Sequence, residues 1–363
     1  MLAERLDESR QPREPVVDPD IRLDEYSQRW LNLIRMSVKP RTLESYQQTI
    51  RLHLLPVLGP VKVRTLARGR IKMFLATKLT SGLARNSVRI VHATLRAMLN
   101  AAVDDGVILA NPADKLGRLL KLVSPAAARQ EEIKAMTRDQ VSAFVSATLA
   151  ATNSKDRGCY PLFLLLARTG IRMGEAQALQ WTDIDFRSRE IRVVRALSAG
   201  RIESPKSGHG RTVDMSHQLA RALQRLQVER KAETLKQGWA EMPSWVFCSD
   251  AGTPVDGSRV RKAFARILAA AGLPPHFTPH CLCHTFASLL LQQSESPAYV
   301  QRQLGHASIK LTVDTYGKWL PMGNKAAVDR LDDPSGSKVV AIHESGRAGA
   351  AEVTELDGAG GGS

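Results

Sequence analysis

A run of side chains between His280 and Tyr316 limits most strongly what this chain can fold into. It begins with the turn His280-Cys281-Leu282-Cys283-His284, continues through Leu304-Gly305-His306 and ends at the isolated Tyr316. A single tyrosine on a helix is ordinarily a core residue. Arg172 and Lys206, which lie far upstream, change this interpretation because they supply cations that suit a shared site. The sequence therefore predicts a fold that brings these distant segments to the phenol of Tyr316.

The chemistry of such a site is that of an attack on phosphorus. Without a metal, it needs a nucleophile, cations on the non-bridging oxygens and an acid for the departing oxygen. Tyr316 is the candidate nucleophile, and the guanidinium of Arg172 can fork onto two phosphate oxygens. Two simpler interpretations stay open, since Arg172 could pair with Glu175 at the surface and Lys206 on a Gly-rich loop signifies little alone.

The basic composition favours a polyanionic partner. Nucleic acid is a better candidate for that partner than a membrane surface. The formal charge is +15 and the pI is about 10.0, and Lys and Arg that neutralise phosphates release condensed counterions. No apolar run approaches the roughly 18 residues of a membrane span, and residues 1–20 lack the apolar core of a signal peptide. The sequence thus predicts a cytoplasmic protein with reduced cysteines. The crowding of His280, Cys281, Cys283 and His284 is unlike usual metal-ligand spacing, so no metal is expected.

The chain is predicted to be mainly α-helical with one small antiparallel β-sheet. Residues 1–20 should form a flexible arm, residues 21–117 a helical domain, 118–133 a linker, 134–332 a second domain and 333–363 a disordered tail. A helix from Leu43 to Leu55 should be closed by Pro56 and Gly59. Thr137 and Gln140 predict a capping box at the start of the second domain. The sheet is expected from residues 190–197 and 201–215, which alternate and are rich in β-branched residues, with a turn at Ser198-Ala199-Gly200 between them.

The predicted helical domain carries a one-sided charge pattern. Between Glu44 and Asp104 there is no acidic residue, whereas basic residues are frequent. A solvated basic face is the alternative, but over such a length contact with phosphates is favoured. The residues predicted to contact DNA are Arg64, Arg68, Arg70, Lys72, Arg85, Arg89 and Arg96, with Arg211 from the second domain.

Four separated blocks resemble the tyrosine recombinases, or phage-type integrases. They are the segment from Thr169 to Glu175, Lys206 ahead of Arg211-Thr212-Val213, the box from His280 to Ser288, and Leu304 to Ile309 followed by Tyr316. The stretch from Asn86 to Ala113 is similar to the end of the family's helical core-binding domain. The resemblance covers about residues 21–330.

This resemblance implies a site-specific DNA recombinase of a phage or other mobile element. It implies a core-binding domain and an integrase-like catalytic domain that form a C-shaped clamp around double-stranded DNA. Tyr316 is expected to attack the scissile phosphate, leaving a 3′-phosphotyrosyl link and a free 5′-hydroxyl. Lys206 is expected to act as general acid and His280 as base or proton relay, while Arg172 and His306 donate to the phosphate oxygens. The resemblance implies no cofactor. It does imply that a homotetramer assembles on two DNA duplexes.

One position departs from the family pattern. Cys283 occupies the place of an expected second arginine, and a neutral thiol offers one weak donor where a guanidinium offers a cationic fork. Loss of one such donor typically slows chemistry by about 10² to 10³, and an ionised thiolate would also repel the phosphate. Cys283 therefore leaves open a catalytically impaired relative that acts as a site-specific DNA-binding protein. A type IB topoisomerase, which shares the tyrosine chemistry and the fold, is a further alternative.

Overall fold

The computed structural model of the chain describes residues 18–122, 133–205, 208–321, 323–329 and 331–332. Most of the predicted arm and linker, Lys206 and the predicted tail lie outside the described residues. Chain contacts separate a unit that ends at Leu320 from one that begins at Pro321. The second unit contains the short helix α16, and its bounds are Lys325–Asp329.

In the residues described, the first part of the large unit consists of helices and their connections, with a single isolated bridge between Arg22 and Lys62. The apolar side chains of its helices share one core, in which Tyr26, Trp30 and Met98 are buried. Each such large side chain contributes roughly 1.5–3 kcal/mol by leaving water. The helices are α1 (Leu23–Ile34), α2 (Pro40–Thr49), α3 (Leu55–Leu58), α4 (Arg68–Thr80), α5 (Arg85–Asp104) and α6 (Leu116–Leu119).

The prediction that a helix closes at Pro56 is wrong. A π-helical turn, Ile50–Leu54, continues α2 directly into α3, which contains Pro56 in its first turn. Proline has no N–H to donate to the preceding turn. The π-helical turn already departs from regular α-helical bonding just before Pro56, since Leu55 N donates to the oxygen of Ile50, five residues back. The helix ends instead at Gly59, the other residue predicted to close it.

The second part of the large unit combines helices with short strands. The predicted capping box is confirmed, because Thr137 accepts from Gln140 N and donates its own N–H to the Gln140 side chain. The helices are α7 (Arg138–Leu149), α8 (Ser154–Arg157), α9 (Tyr160–Thr169), α10 (Met173–Gln177), α11 (His217–Gln237), α12 (Gly257–Ala270), α13 (Pro279–Gln292), α14 (Pro297–Leu304) and α15 (Ile309–Tyr316).

The strands form two small antiparallel groups where the sequence predicted one sheet. A three-stranded sheet has the order β1 (Ile184–Asp185), β2 (Glu190–Val193) and β5 (Arg211–Asp214), with Val193 opposite Arg211. The strands β3 (Ala196–Ser198) and β4 (Arg201–Glu203) form a separate hairpin. The hairpin turns at Ala199 and Gly200, which have φ values of 49° and 74°.

The predicted fold class, mainly α with a small antiparallel sheet, is confirmed. The second part is built around a core that includes Phe144, Phe163 and Phe264, whose rings pack pairwise with centroids 4.7–5.5 Å apart. A smaller apolar cluster contains Cys283, Leu304 and Tyr316. This cluster joins α13, α14 and α15, so packing of three helices places the candidate nucleophile.

Candidate active site

A tight turn after α9 places Arg172. Gly170 has a φ of 65°, and a β-carbon there would lie 2.6 Å from the Phe286 ring and 2.7 Å from Leu304. Only glycine fits this left-handed, closely packed position. The turn therefore sits directly against α13 and α14, and Arg172 becomes the residue that precedes α10.

One buried carboxylate organises two guanidinium groups. Glu175 is 1% exposed, and it accepts from Arg172 N at 2.9 Å and Arg172 Nη1 at 3.1 Å. It also accepts a two-pronged bond from Arg211, at 3.0 and 2.7 Å. Burial raises the pKa of Glu175, but the bonds and charges of Arg211 and Arg172 outweigh it, so the pKa lies below its usual value. Arg172 keeps 28% of its side chain exposed, which leaves donors for a phosphate.

Arg211 was predicted to contact DNA, but its side chain is almost fully buried. Its side chain is 8% exposed, and besides Glu175 its Nε donates to the backbone oxygen of Gln303 at 2.8 Å. Gly305 packs so closely that a β-carbon would lie 2.8 Å from Arg211 Cδ. The guanidinium is thus turned into the protein, where it links β5 to α14 and holds Glu175.

Cys283 occupies the interior of the site. Its Sγ donates to the backbone oxygen of Gly170 at 2.5 Å, and the side chain packs in the same cluster as Tyr316. Burial raises the pKa of the Cys283 thiol to about 12. The thiol is therefore neutral near pH 7, and it does not repel a phosphate as a thiolate would.

Tyr316 ends α15 with its hydroxyl close to an imidazole. The side chain is 2% exposed, and the hydroxyl lies 2.8 Å from Nδ1 of His284. Burial raises the pKa of the phenol above its usual value, while the charge of Arg172 acts in the opposite direction. The positive charge of Arg172 thus favours a phenolate, although the resting phenol is neutral.

His306 lies on the other side of the phenol. Its ring is nearly parallel to that of Tyr316, with an interplanar angle of 5° and centroids 6.1 Å apart. Its Nδ1 lies 2.9 Å from the hydroxyl of Thr312, which is fully buried one turn before Tyr316. Burial and the nearby Arg172 and Arg211 lower the pKa of His306 to about 4, so a neutral imidazole faces the site.

His280 lies next to His284, the imidazole beside the phenol. Its exposed ring contacts the His284 ring edge-on, with centroids 4.6 Å apart. Burial, His280 and His306 lower the pKa of His284 to about 4. The structure thus brings Arg172, Cys283, His306 and Tyr316 together, and His280 contacts His284 beside them.

Lys206 lies outside the described residues, but the described chain reaches Pro205 immediately before it. Lys39 Nζ lies 3.4 Å from the backbone oxygen of Ser204 and 3.5 Å from that of Pro205. A side chain near the start of α2 therefore contacts the segment that carries the predicted general acid.

Three residues of this site were missed by sequence reasoning: Glu175 as an organiser, His284 and Thr312. Glu175 was considered only as a surface ion-pair partner. His284 had a usable signal, because positions 280 and 284 are one helical turn apart and share a face. Thr312 had no signal, since a buried hydroxyl is recognisable only once its partner His306 is placed.

The basic residues predicted for DNA contact in the helical part are all exposed. The sequence suggested a segment without counter-charges, yet Asp20 pairs with Lys62 and Arg64, and Asp114 pairs with Arg96. Other donors have polar partners within the protein, as when Arg89 donates to Asn86. Arg70 and Lys72 have no partner among the described residues, so they are the most available cations of the set.

Neither a metal centre nor a membrane span emerges from the residues that are described. No group of three or more His, Cys, Asp or Glu side chains there is arranged to hold a metal ion. None of the described helices combines the length and apolar character needed to cross a bilayer.

Two family models match the sequence. The model described as the phage integrase family matches residues 134–319, and the N-terminal SAM-like domain of phage integrases matches residues 22–78. A tyrosine recombinase XerC-like protein of Caldanaerobacter subterraneus subsp. tengcongensis is 27% identical over 337 residues, covering 86% of this chain and 83% of the relative. The ICEBs1 integrase of Bacillus subtilis is 25% identical, covering 81% and 78%.

Solved structures show the same fold. The Tn1549 transposon integrase in complex with a circular intermediate DNA superposes with a TM-score of 0.69 at 22% identity, covering 85% of this chain and 98% of the other. A lambda integrase dimer bound to a core site gives a TM-score of 0.63 at 17% identity, covering 90% and 100%.

Proposed function

This chain belongs to the phage integrase family and is a site-specific DNA recombinase, and we propose that Tyr316 is the residue through which it cuts and rejoins strands. The observation that carries the proposal is the surroundings of the phenol. Nδ1 of His284 lies within hydrogen-bond distance of its hydroxyl, and the ring of His306 is parallel to its ring. The positive charge of Arg172 acts to lower the pKa of the phenol. The proposed product of cleavage is a 3′-phosphotyrosyl link and a free 5′-hydroxyl.

The proposed roles follow from how each side chain is held. Arg172, fixed by Glu175, keeps donors for the non-bridging oxygens. His306, fixed by Thr312, offers a neutral N–H to the same phosphate. Lys206 is proposed as the acid for the departing 5′-oxygen. Energy of the broken phosphodiester is kept in the tyrosyl link, so the proposed reaction requires no nucleotide cofactor.

Double-stranded DNA is the proposed substrate. The Tn1549 transposon integrase and the lambda integrase were each solved in complex with DNA, the lambda integrase as a dimer. We propose that residues 21–117 and 134–332 act as two domains that enclose the duplex, and that four subunits join two duplexes in the cytoplasm. Mass measurement of the complex on a two-site DNA would test the tetramer, and a complex of two subunits on joined duplexes would contradict it.

The available cations on α4 give a first prediction about binding. Replacing Arg70 and Lys72 together by Gln should weaken binding to all DNA sequences alike, because both are expected to touch phosphates. The slope of log K against log salt should fall by about 2, since each phosphate that a cation neutralises contributes roughly 0.9. The measurement is a salt titration of DNA affinity. Replacing the paired Arg96 instead should change the slope less, because Asp114 already neutralises it.

A second prediction concerns the missing arginine. Cys283→Arg should raise the rate of covalent adduct formation on a suicide DNA substrate by about 10² to 10³, if a guanidinium at this position reaches the phosphate. Cys283→Ser is the matched control. It keeps a small neutral donor for the Gly170 oxygen, so its rate should stay near that of the native chain.

The outcome also separates the alternative functions. Equal adduct rates for native chain and Cys283→Arg, both folded by thermal melting, would show that another cation already supplies the contact. An adduct formed only by Cys283→Arg would favour a natural chain that binds its site without cutting it. Relaxation of a supercoiled plasmid that lacks any special site would instead favour a type IB topoisomerase.

A further inference from the structure

We propose that His284, rather than His280, is the direct acceptor of the Tyr316 proton, and that His280 serves as the second member of a relay to solvent. This inference rests on the proposed function of Tyr316. It adds a catalytic residue that the sequence pattern did not indicate.

The direction of the hydrogen bond follows from burial. The hydroxyl of Tyr316 has His284 Nδ1 as its hydrogen-bond partner at 2.8 Å, and the side chain is 2% exposed. If Nδ1 carried a hydrogen and donated it, the phenolic hydrogen would be buried with no acceptor among the described residues. Leaving such a buried donor unsatisfied is unfavourable, because it loses its hydrogen bonds to water and gains none in return. The phenol therefore donates, Nδ1 is unprotonated, and the hydrogen of the neutral imidazole is on Nε2.

A graded exposure leads from the phenol to solvent. Tyr316 is buried, His284 is partly buried, and His280 is exposed. Both imidazoles lie on α13 one turn apart, in edge-on contact at 4.6 Å between centroids. They border a cavity of about 470 Å³, which water can occupy. A proton that reaches His284 thus has a short path outward.

The resting pKa values oppose proton transfer until DNA is bound. Burial raises the pKa of the phenol and lowers that of His284 to about 4. A phosphate gripped by Arg172 brings a negative charge to the site, which favours an imidazolium and raises the pKa of His284. Transfer is therefore expected during attack. The other titratable or charged groups around His284 are His280, His306, Asp314, His276 and Lys134.

In the proposed step, the O–H bond of Tyr316 breaks while its oxygen bonds to phosphorus. The proton moves to Nδ1 of His284, which becomes an imidazolium. The bond from phosphorus to the 5′-oxygen breaks, and that oxygen takes a proton from the general acid. His284 then releases its Nε2 proton to His280 or to water in the cavity, and the neutral imidazole is restored.

The first test uses two DNA substrates, one normal and one with sulfur in place of the bridging 5′-oxygen. A sulfur leaving group needs no general acid, so only defects on the nucleophile's side remain. His284→Asn, which keeps an acceptor near the position of Nδ1 but not its basicity, should lower the adduct rate by about 10² or more on both substrates. His284→Phe should do the same, while DNA affinity and thermal stability of the Asn variant stay close to native.

Two results of this test overturn the proposal. A native rate for His284→Asn would mean that His284 only holds the phenol in place. A defect that disappears on the sulfur substrate would mean that His284 serves the departing oxygen instead.

A second measurement needs no activity. Nitrogen chemical shifts of the full chain, labelled at histidine, should show an unprotonated Nδ1 in His284 that changes in Tyr316→Phe. A protonated Nδ1 overturns the proposal. If the native chain forms no adduct with any substrate, the proposed function fails, while this spectrum still decides the direction of the hydrogen bond.

Discussion

Replacing Tyr316 by Phe is expected to abolish the covalent protein–DNA adduct, lowering its rate by about 10⁶, the size of effect seen when a covalent nucleophile is removed. The phenol oxygen is the proposed attacking atom, whereas the ring contributes to the apolar cluster with Cys283 and Leu304. Phenylalanine keeps that packing. DNA affinity and the melting temperature should therefore change little, and the adduct is scored by denaturing gel on a suicide substrate.

Tyr299→Phe provides the matched control. Tyr299 also lies on a helix of the same part of the chain, but its hydroxyl donates to Asp214 Oδ2 at 2.6 Å and not to an imidazole. Its replacement should leave the adduct rate within a few fold of native. An adduct that persists in Tyr316→Phe, with the DNA attached to another side chain by mass spectrometry, would contradict the assignment of the nucleophile.

The second large effect is expected from the carboxylate that holds the arginines. Glu175→Gln should lower the free energy of unfolding by about 3–5 kcal/mol, because Arg211 then lies buried without a counter-charge. Chemical denaturation measures this difference. Glu241→Gln, at an exposed glutamate, should stay within about 0.5 kcal/mol of native.

The pH dependence of this effect has a definite sign. The pKa of Glu175 is lowered in the folded chain from its ordinary value of 4.5. Its stabilisation is therefore complete above that value and is lost as pH falls through the lower folded pKa. The difference between native and Glu175→Gln should shrink in acid. Arg211→Met combined with Glu175→Gln should cost less than the two single changes added together, and simple additivity would show that the pair does not act as a unit.

The two predictions together distinguish a residue that reacts with DNA from a residue that holds the site in place. Glu175 touches no DNA in the proposed mechanism, yet it fixes Arg172, so its replacement should also slow adduct formation. Tyr316→Phe should leave stability almost unchanged. If both changes lowered stability and activity to the same degree, Tyr316 would not act mainly as nucleophile and Glu175 would not act mainly as the residue that holds the arginines.

Local sequence patterns predicted much of the secondary structure because the forces involved are local. The capping box of Thr137 and Gln140 needs only three residues of separation. The hairpin turn at Ala199-Gly200 is similarly short-range. Pro56 misled the prediction because a π-helical turn, Ile50–Leu54, carries the helix through the proline, and no local sequence pattern indicated that turn.

The sequence alone determined the charge, the order of the candidate groups and the presence of Cys283 where an arginine is expected, since these are properties of residue identity and spacing. Only the tertiary structure decided which imidazole meets Tyr316, that Arg211 faces inward, and that Asp20 and Asp114 neutralise part of the basic segment. Hydrogen bonding and desolvation act over a few ångströms, and the partners concerned are separated along the chain. Their effects therefore exist only after packing has brought those partners together.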